Sequence, residues 1–220
     1  GRLYEVDMRL RPSGRQGPVA TSLLGFQSYQ IDEAWTWEHL ALTRARAVAG
    51  ATEVGQGVEE IRAEVLKAKS TGETVIADVQ DMRRRLAEAK PARNQWDGKS
   101  GAGRMMDIEL VAQTGAVLAA STESLTQSQL QVGVGTGLIS EENAMELAKT
   151  YELLSKVNAS SRLLAIDDLD VNTLGQGAQE FLMRETGAQS MQDLGENLLE
   201  KTVRAAKIID QALDERLKKC

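Results

Sequence analysis

Apolar residues recur at helical spacing through most of this 220-residue chain, and this pattern limits the folds open to it. Val, Ile, Leu and Met return every three or four positions, which places them on one face of an α-helix with 3.6 residues per turn. The stripes are Val54/Val58/Ile61/Val65, Val75/Val79/Met82/Leu86, Met106/Leu110/Val111/Leu118, Ala144/Leu147/Tyr151/Leu154/Val157 and Leu194/Leu198/Ala205/Ile208/Ile209/Leu213. We therefore predict a mainly α protein, with an all-helical bundle over residues 53–220.

Polar residues between the stripes predict where helices begin. Ser140 precedes two glutamates, which is typical of an N-cap followed by an acidic first turn. Ser190 and Asp193 resemble a capping box with Asp in place of Glu, and they would open the last helix. A shorter helix is expected near residues 174–184.

The first residues of the chain carry a different pattern, because apolar and charged residues alternate in Tyr4-Glu5-Val6-Asp7-Met8-Arg9-Leu10. A period of two is that of a β-strand with one buried and one solvated face. Pro12 and Gly14 then end the strand. Its polar face can present a metal ligand and a phosphate-binding arginine from a rigid support. On spacing alone, a strand whose charges only face water is the simpler alternative.

The following residues predict a short helix over 22–31 and a further helix with Asp32 as its N-cap. Alternation resumes at Arg44 and ends at Gly50, which predicts a second short strand. Arg44 and Arg46 would lie on the same side of that strand. A functional role for the two arginines and a solvated strand face both remain open. The chain is thus predicted to be mixed α/β up to about Gly50 and helical afterwards.

Composition excludes several classes of function. A net charge of −6 argues against a dedicated nucleic-acid binder, which usually carries a basic surface. Cys220 is the single cysteine and His39 the single histidine, so an intrachain disulfide and cysteine- or histidine-based metal clusters are excluded. These features fit a reducing cytoplasm. No apolar run approaches the roughly 18 residues of a membrane span.

Two acidic pairs could be mistaken for a catalytic Asp-x-Asp motif. Asp168 and Asp170 follow a long predicted helix, and we interpret them as residues that cap the next helix or solvate a loop. Asp107 and Glu109 lie in the first turn of a helix, where unpaired amides and the helix dipole favour carboxylates. A structural role is the simpler interpretation of this second pair.

Three further features are weak as functional signals. The Lys-Ser-Gly-Ala-Gly loop at 99–103 is glycine-rich, but it lacks the Gly-Lys-Ser/Thr ending of a phosphate loop and no strand clearly precedes it. His39 has no Ser, Cys or second His at a readable spacing, so we favour a packing or hydrogen-bonding role. Cys220 is interpreted as an inert free thiol.

Three blocks of the chain carry longer motifs. They are Gly-Arg-Leu-Tyr-Glu-Val-Asp-Met-Arg-Leu-Arg-Pro-Ser-Gly-Arg-Gln-Gly-Pro (1–18), Ala-Trp-Thr-Trp-Glu-His-Leu-Ala-Leu-Thr-Arg-Ala-Arg (34–46) and Gly-Ala-Gly-Arg-Met-Met-Asp-Ile-Glu-Leu-Val-Ala-Gln (101–113). The first two resemble the third catalytic-carboxylate strand, and the segment after it, of bacterial glutamine synthetase adenylyltransferase/adenylyl-removing enzymes. The third is similar to Gly-Gly-x-x-Asp-Ile-Glu-Phe-x-x-Gln, which opens that family's helical domain, although Ala102 and Leu110 depart from it. The second block has the form found in the domain of these enzymes that adds the adenylyl group.

This resemblance implies the C-terminal part of a polymerase-β-like α/β nucleotidyltransferase domain over residues 1–52 and the family's helical bundle over 53–220. It implies that Asp7 is the third of three carboxylates that hold Mg²⁺ against ATP. Arg9 and Arg11 would bind the triphosphate or the leaving pyrophosphate. The enzymes of this family transfer AMP from ATP to a tyrosine of glutamine synthetase, remove it by phosphorolysis and respond to the PII protein.

One part of the family's site has no counterpart in this sequence. The first two carboxylates belong to an upstream Gly-Ser…Asp-x-Asp motif, and only six residues precede Asp7. The chain also begins with Gly rather than Met. We therefore expect a C-terminal fragment of a longer enzyme, inactive by itself because one carboxylate cannot hold two metal ions.

Two other functions remain open. The acidic helical bundle could be a non-catalytic module that docks onto glutamine synthetase or the PII protein. The related PII uridylyltransferase is the second alternative. Its family carries a His-Asp hydrolase domain after the transferase, which a single histidine excludes within this chain.

Overall fold

The computed structural model describes residues 7–8, 11–70, 74–165 and 168–217, and the protein is helical within them, with no β-strand. The prediction of a mainly α protein is confirmed for this part of the chain. Short 3₁₀ turns occur at Gly14–Gln16 and Val171–Thr173, and a π-helical turn occurs at Tyr29–Glu33. The α-helices of these ranges are α1 (Leu23–Ser28), α2 (Thr36–Leu42), α3 (Thr52–Lys69), α4 (Val75–Ala89), α5 (Met105–Leu118), α6 (Thr126–Gly135), α7 (Glu141–Leu164), α8 (Gln176–Thr186) and α9 (Met191–Leu217).

Helix α5 lies at the centre of the bundle because it is apolar around most of its circumference. Ile108, Val111 and Ala116 on this helix are fully buried. The helix packs against α2, α3, α4, α6, α7 and α9. Its closest neighbour is α6, where a Cβ atom on Gly115 would lie 2.7 Å from the Cα of Gly133. None of the helices in the described ranges is long and apolar enough to cross a membrane.

A second and smaller hydrophobic cluster lies between α1, α2 and α3. Leu42, Ile61 and Val65 are buried at its centre, and Phe26 and Ala45 pack against them. The next residue of α3, Leu66, belongs instead to the main core. Helix α3 therefore joins the N-terminal segment to the bundle. The domain boundary between residues 52 and 53 stays a prediction.

The helix starts that depend on local capping are confirmed. The Ser140 hydroxyl accepts a hydrogen bond from the amide of Asn143 at 3.2 Å, and that of Ser190 accepts one from the amide of Asp193 at 3.0 Å. The Asp193 carboxylate accepts from the amide of Gln189 at 3.1 Å rather than from that of Ser190. In the predicted capping box, the carboxylate therefore binds the amide of the residue before the N-cap rather than the amide of the N-cap itself.

The second predicted strand is wrong. Residues 44–50 form a turn, an irregular stretch and a bend, with no strand beside them in the described residues. The amide of Ala45 donates to the carbonyl of Leu42 at 3.1 Å, and Ala45 packs into the smaller hydrophobic cluster. An alternating sequence becomes a strand only where a neighbouring strand supplies a ladder of hydrogen bonds, and this segment packs against helices instead.

Two details of the helix assignment also differ from the prediction. Asp32 lies inside the π-helical turn, and α2 begins later, with Trp35 in the N-cap position and its amide donating to the Glu38 carboxylate at 2.9 Å. Helix α6 was not predicted as a separate element, and it runs through Gly133. Of the first predicted strand, only Asp7 and Met8 are described; the remainder lies outside the described residues.

The loop before α5 generates a prediction about a close backbone contact. Gly103 has φ +68°, and a Cβ atom there would lie 1.9 Å from the carbonyl oxygen of Thr202 in α9. Gly137 has almost the same φ, +69°, with no atom within 4 Å of its Cβ position. We expect Gly137→Ala to cost about 1–2 kcal/mol for the left-handed backbone alone, and Gly103→Ala to cost clearly more, because α9 must also move.

Urea unfolding of the two variants checks this expectation. Since both substitutions carry the same backbone strain, the difference between them measures the contact between the loop and α9. Equal losses of unfolding free energy in the two variants would contradict the described packing of Gly103.

Candidate functional site

The candidate catalytic residues lie at the start of the described chain. Asp7 and Met8 are exposed, and Arg9 lies outside the described residues. The Arg11 guanidinium donates to the carbonyl oxygens of Met8 at 2.8 Å, Gly17 at 3.2 Å and Arg15 at 3.4 Å. Arg11 therefore closes the turn that follows Asp7. Its binding of a phosphate group stays a prediction, as does the role of Asp7.

The described residues do not form a complete magnesium site. Mg²⁺ demands near-octahedral coordination, with carboxylates, water and substrate phosphates as its usual ligands in nucleotide-using sites. Within the described ranges, no three His, Cys, Asp or Glu side chains lie together in a way that could hold a metal ion. Asp7 could supply one carboxylate, and the other protein ligands would have to come from outside these ranges.

Asp107 of the third sequence block is bound on several sides. Its carboxylate pairs with Arg83 of α4, with Nε–Oδ1 at 2.5 Å and Nη2–Oδ2 at 3.0 Å, and it also accepts from the amide of Gly103 at 2.8 Å. Arg83 donates further to Asp210 of α9 at 2.8 Å. Asp107 thus joins α4, α5 and α9. The structural interpretation holds, although its main partner is Arg83 rather than the first-turn amides.

Glu109 points to a different set of partners. Its Oε1 atom lies 3.2 Å from Nη1 of Arg44 and accepts a hydrogen bond from the hydroxyl of Tyr151 at 2.7 Å. Burial raises the pKa of Tyr151, and the bond to Glu109 raises it further, so the hydroxyl stays protonated as a donor. Glu109 therefore links the residues that follow α2 to α7.

A buried polar junction anchors the end of α2, and sequence patterns alone did not identify it. Arg62 of α3 is 3% exposed and donates to the carbonyl oxygens of Leu42 at 2.9 Å, Thr43 at 2.5 Å and Thr122 at 2.6 Å. The side-chain amide Nε2 of Gln129 in α6 donates to the hydroxyl of Thr43 at 3.0 Å. We refer to Arg62, Thr43 and Gln129 as the polar junction.

One sequence signal could have revealed this junction. Arg62 lies four residues after Val58 and four before Leu66, so a charged residue interrupts an apolar row of α3. A buried arginine of this kind needs acceptors for its donors. One acceptor is local, since Nη1 donates to the Glu59 carboxylate at 2.8 Å. The three carbonyl acceptors are 19 to 60 residues distant in sequence, which is why no local pattern indicates them.

The glycine-rich loop at 99–103 is not an open phosphate cradle. The amides of Lys99 and Ser100 donate to the Asp97 carboxylate at 3.0 and 3.1 Å, and Nε of Arg93 donates to the same group at 3.1 Å. Burial alone would raise the pKa of Asp97, but these hydrogen bonds outweigh it and the pKa is lowered. The loop thus binds its own carboxylate.

The other acidic pair and the histidine are also structural. Asp168 forms an ion pair with Arg93, and the Asp170 carboxylate accepts from the amide of Asn172 at 3.0 Å, so it caps the short 3₁₀ turn. Nε2 of His39 lies 2.8 Å from the carbonyl oxygen of Gln30 in a buried position. The contacts of Asp170 and His39 agree with the capping and hydrogen-bonding roles expected from the sequence, whereas Asp168 forms an ion pair that was not expected. Cys220 lies outside the described residues.

A cavity of about 340 Å³ lies beside the Arg83–Asp107 pair, between α4, α5 and the glycine-rich loop. Its walls are apolar where Leu86, Ala87 and Met106 face it, and Arg83 and Lys90 are among its polar lining. The cavity has the size of a small ligand site.

The chain matches known proteins along most of its length. Residues 1–61 match the family model described as "Glutamate-ammonia ligase adenylyltransferase", and residues 77–217 match the one described as "GlnD PII-uridylyltransferase". A "Bifunctional glutamine synthetase adenylyltransferase/adenylyl-removing enzyme" from Bradyrhizobium diazoefficiens is 39% identical over 88% of this chain. Proteins with the same description from Bradyrhizobium sp. and Rhizobium meliloti are 36% and 37% identical over 98% and 84% of it. The chain spans about a fifth of the length of these relatives, 20%, 22% and 19% respectively.

The Arg83–Asp107 pair leads to a prediction about stability. We expect Asp107→Asn to lower the free energy of unfolding by about 3 kcal/mol, because removing one partner of a buried pair leaves the other charge uncompensated. Asp168→Asn, which removes a carboxylate whose side chain is 43% exposed, serves as the matched control. We expect that variant to lose less than about 1 kcal/mol. Urea unfolding of both measures the difference, and similar losses would contradict the role given to Asp107.

The single histidine leads to a prediction about pH. Burial lowers the pKa of His39 below its ordinary value of 6.5. As the pH falls below 6.5, the unfolded chain therefore binds a proton that the folded chain does not, and stability decreases until the lower pKa of the folded state is reached. Urea unfolding at about pH 7.5 and about pH 5.5 should show this loss in the native protein and not in His39→Gln. An equal loss in the variant would assign the effect to other groups.

Proposed function

The chain belongs to the family of the bifunctional glutamine synthetase adenylyltransferase/adenylyl-removing enzymes, and we propose that it serves transfer of AMP from ATP to a tyrosine of glutamine synthetase. Residues 77–217 also belong to the family whose model is described as GlnD PII-uridylyltransferase. The observation that carries the proposal is the similarity to enzymes of that description over 84–98% of the chain. Such a transfer would regulate nitrogen assimilation in the cytoplasm, with the PII protein as a second partner.

In this proposal, Asp7 is one of the carboxylates that hold Mg²⁺, and the remaining ones come from polypeptide outside these 220 residues. A metal bound there would stabilise negative charge on the phosphate oxygens of ATP. Arg9 and Arg11 would bind the triphosphate or the leaving pyrophosphate. The contacts of Arg11 with its own turn support a positioning role as well, because they hold the chain directly after Asp7 and Met8.

The helical bundle would support the catalytic segment rather than act alone. Arg62 and Gln129 bind the end of α2, and Glu109 binds Arg44, so three bundle helices hold the segment that follows the candidate strand. Transfer of UMP to the PII protein is the related alternative that the second family match raises. We favour AMP transfer because the named relatives cover nearly the whole chain and share one description.

An activity assay tests the proposal. The chain would replace its matching segment in the Bradyrhizobium diazoefficiens relative, and the chimaera would be assayed with glutamine synthetase and labelled ATP. We expect AMP transfer that Asp7→Asn reduces by about a hundredfold or more, because the carboxylate holds the metal. Asp32→Asn, an exposed carboxylate in the same segment, is the matched control and should leave the rate unchanged. The 220-residue chain alone should transfer no AMP.

Two outcomes would overturn the proposal. Undiminished transfer by the Asp7→Asn chimaera would show that Asp7 is not catalytic and would favour a docking module, which binding of the isolated chain to glutamine synthetase or the PII protein would then test. Transfer of UMP from UTP to the PII protein, without AMP transfer, would favour the uridylyltransferase alternative.

A further inference from the structure

Arg44 is exposed, yet other residues hold both its guanidinium group and its backbone. Its side chain is 43% exposed, yet Nη1 lies 3.2 Å from Oε1 of Glu109. At the backbone, the two preceding carbonyl oxygens, those of Leu42 and Thr43, are bound by the buried Arg62 at 2.9 and 2.5 Å. The amide of Arg44 itself donates to the carbonyl of Ala41 at 3.0 Å.

Glu109 is itself held in position by a hydrogen bond from Tyr151. The hydroxyl of Tyr151 donates to the same Oε1 atom at 2.7 Å, and the Glu109 side chain is only 20% exposed. The carboxylate is held on the central helix α5, and the contact with Arg44 is made by Nη1 of the guanidinium group. Nε and Nη2 of Arg44 donate no hydrogen bond among the described residues.

Arg46 provides an internal comparison. It lies two residues further along the chain and is exposed, but no carboxylate contacts it within the described part of the chain. The two arginines therefore share residue type, charge and exposure, and differ in whether a carboxylate holds the guanidinium group.

Holding a long, exposed side chain costs rotamer entropy. The pair with Glu109 offsets little of this cost by itself, because partly exposed ion pairs contribute little to stability. The same ordering helps an arginine that has to bind an anion, since less freedom remains to be lost when the ligand arrives. A guanidinium with two donors left on one edge matches two oxygens of a phosphate group.

We propose that Glu109 and Tyr151 are positioning residues that hold Arg44 ready to bind the phosphate groups of a nucleotide or of pyrophosphate. The identity of this anion rests on the proposed function, because AMP transfer from ATP requires a triphosphate and releases pyrophosphate. The placement of Arg44 rests only on the contacts of the described residues.

NMR of the 220-residue chain tests the inference without any enzymatic activity. The Nε–Hε signals of Arg44 and Arg46 would be followed during titration with pyrophosphate, with ATP and with AMP. We expect the Arg44 signal to saturate at a several-fold lower pyrophosphate or ATP concentration than the Arg46 signal. AMP should have a weaker effect on Arg44, because it lacks the linked phosphates.

Variants separate positioning from simple charge. Glu109→Ala should bring the response of Arg44 to that of Arg46, and Tyr151→Phe should shift it part of the way. Glu109→Gln, which retains an acceptor oxygen, should restore much of the selectivity. The dispersion of the remaining amide signals shows that each variant is folded; if Glu109→Ala does not fold, the comparison of Tyr151→Phe with the native chain decides.

Equal responses of Arg44 and Arg46 in the native chain would overturn the inference, as would an unchanged Arg44 response in Glu109→Ala and Tyr151→Phe. A stronger response to ATP than to pyrophosphate would identify the nucleotide as the ligand, and the reverse would identify the leaving group. A selective Arg44 response together with absent AMP transfer in the chimaera would overturn the proposed function only.

Discussion

The ion pair between Arg83 and Asp107 is the contact on which the arrangement of the bundle depends. A charge removed from water is costly unless its hydrogen-bonding groups are satisfied. Asp107 meets this requirement with two guanidinium nitrogens and the Gly103 amide, and Arg83 adds Asp210 as a second acceptor. Because these partners lie on α4, α9 and the loop before α5, the pair fixes how the three helices meet. The apolar stripes supply most of the burial, whereas this pair selects one arrangement of them.

The polar junction has the corresponding role for the N-terminal segment. The N-terminal segment buries apolar side chains in the small hydrophobic cluster with α3 and, through Leu40 of α2, in the main core. Apolar burial is non-directional, so it does not by itself fix the register of α2 on α3. Arg62 adds bonds to three carbonyl oxygens that the chain exposes after α2 and near α6. An unsatisfied buried carbonyl is unfavourable, so sliding of α2 along α3 would lose several such bonds at once. The junction therefore gives the segment a definite register on the bundle.

Sequence reasoning succeeded where the determining interactions are local. The periodic stripes predicted the long helices, and Ser140 and Ser190 marked two starts, since a cap depends on residues three positions away. The alternation over 44–50 was misleading because strand formation depends on a neighbouring strand, which the local pattern does not reveal. Arg62 was missed for a related reason, because its three carbonyl acceptors are distant in sequence. The metal-binding and phosphate-binding roles of the first eleven residues stay predictions.

The two carboxylates of the third sequence block contact different elements from opposite faces of one helix. Asp107 and Glu109 are two residues apart, about 200° around the helix axis, so one faces α4 and α9 and the other faces Arg44 and α7. A single inserted or deleted residue between them would rotate Glu109 by about 100° and carry it away from both of its partners. The block can therefore tolerate changes of neighbouring residue type more readily than changes of spacing. Helix α5 therefore fixes the orientation of the N-terminal segment on the bundle core.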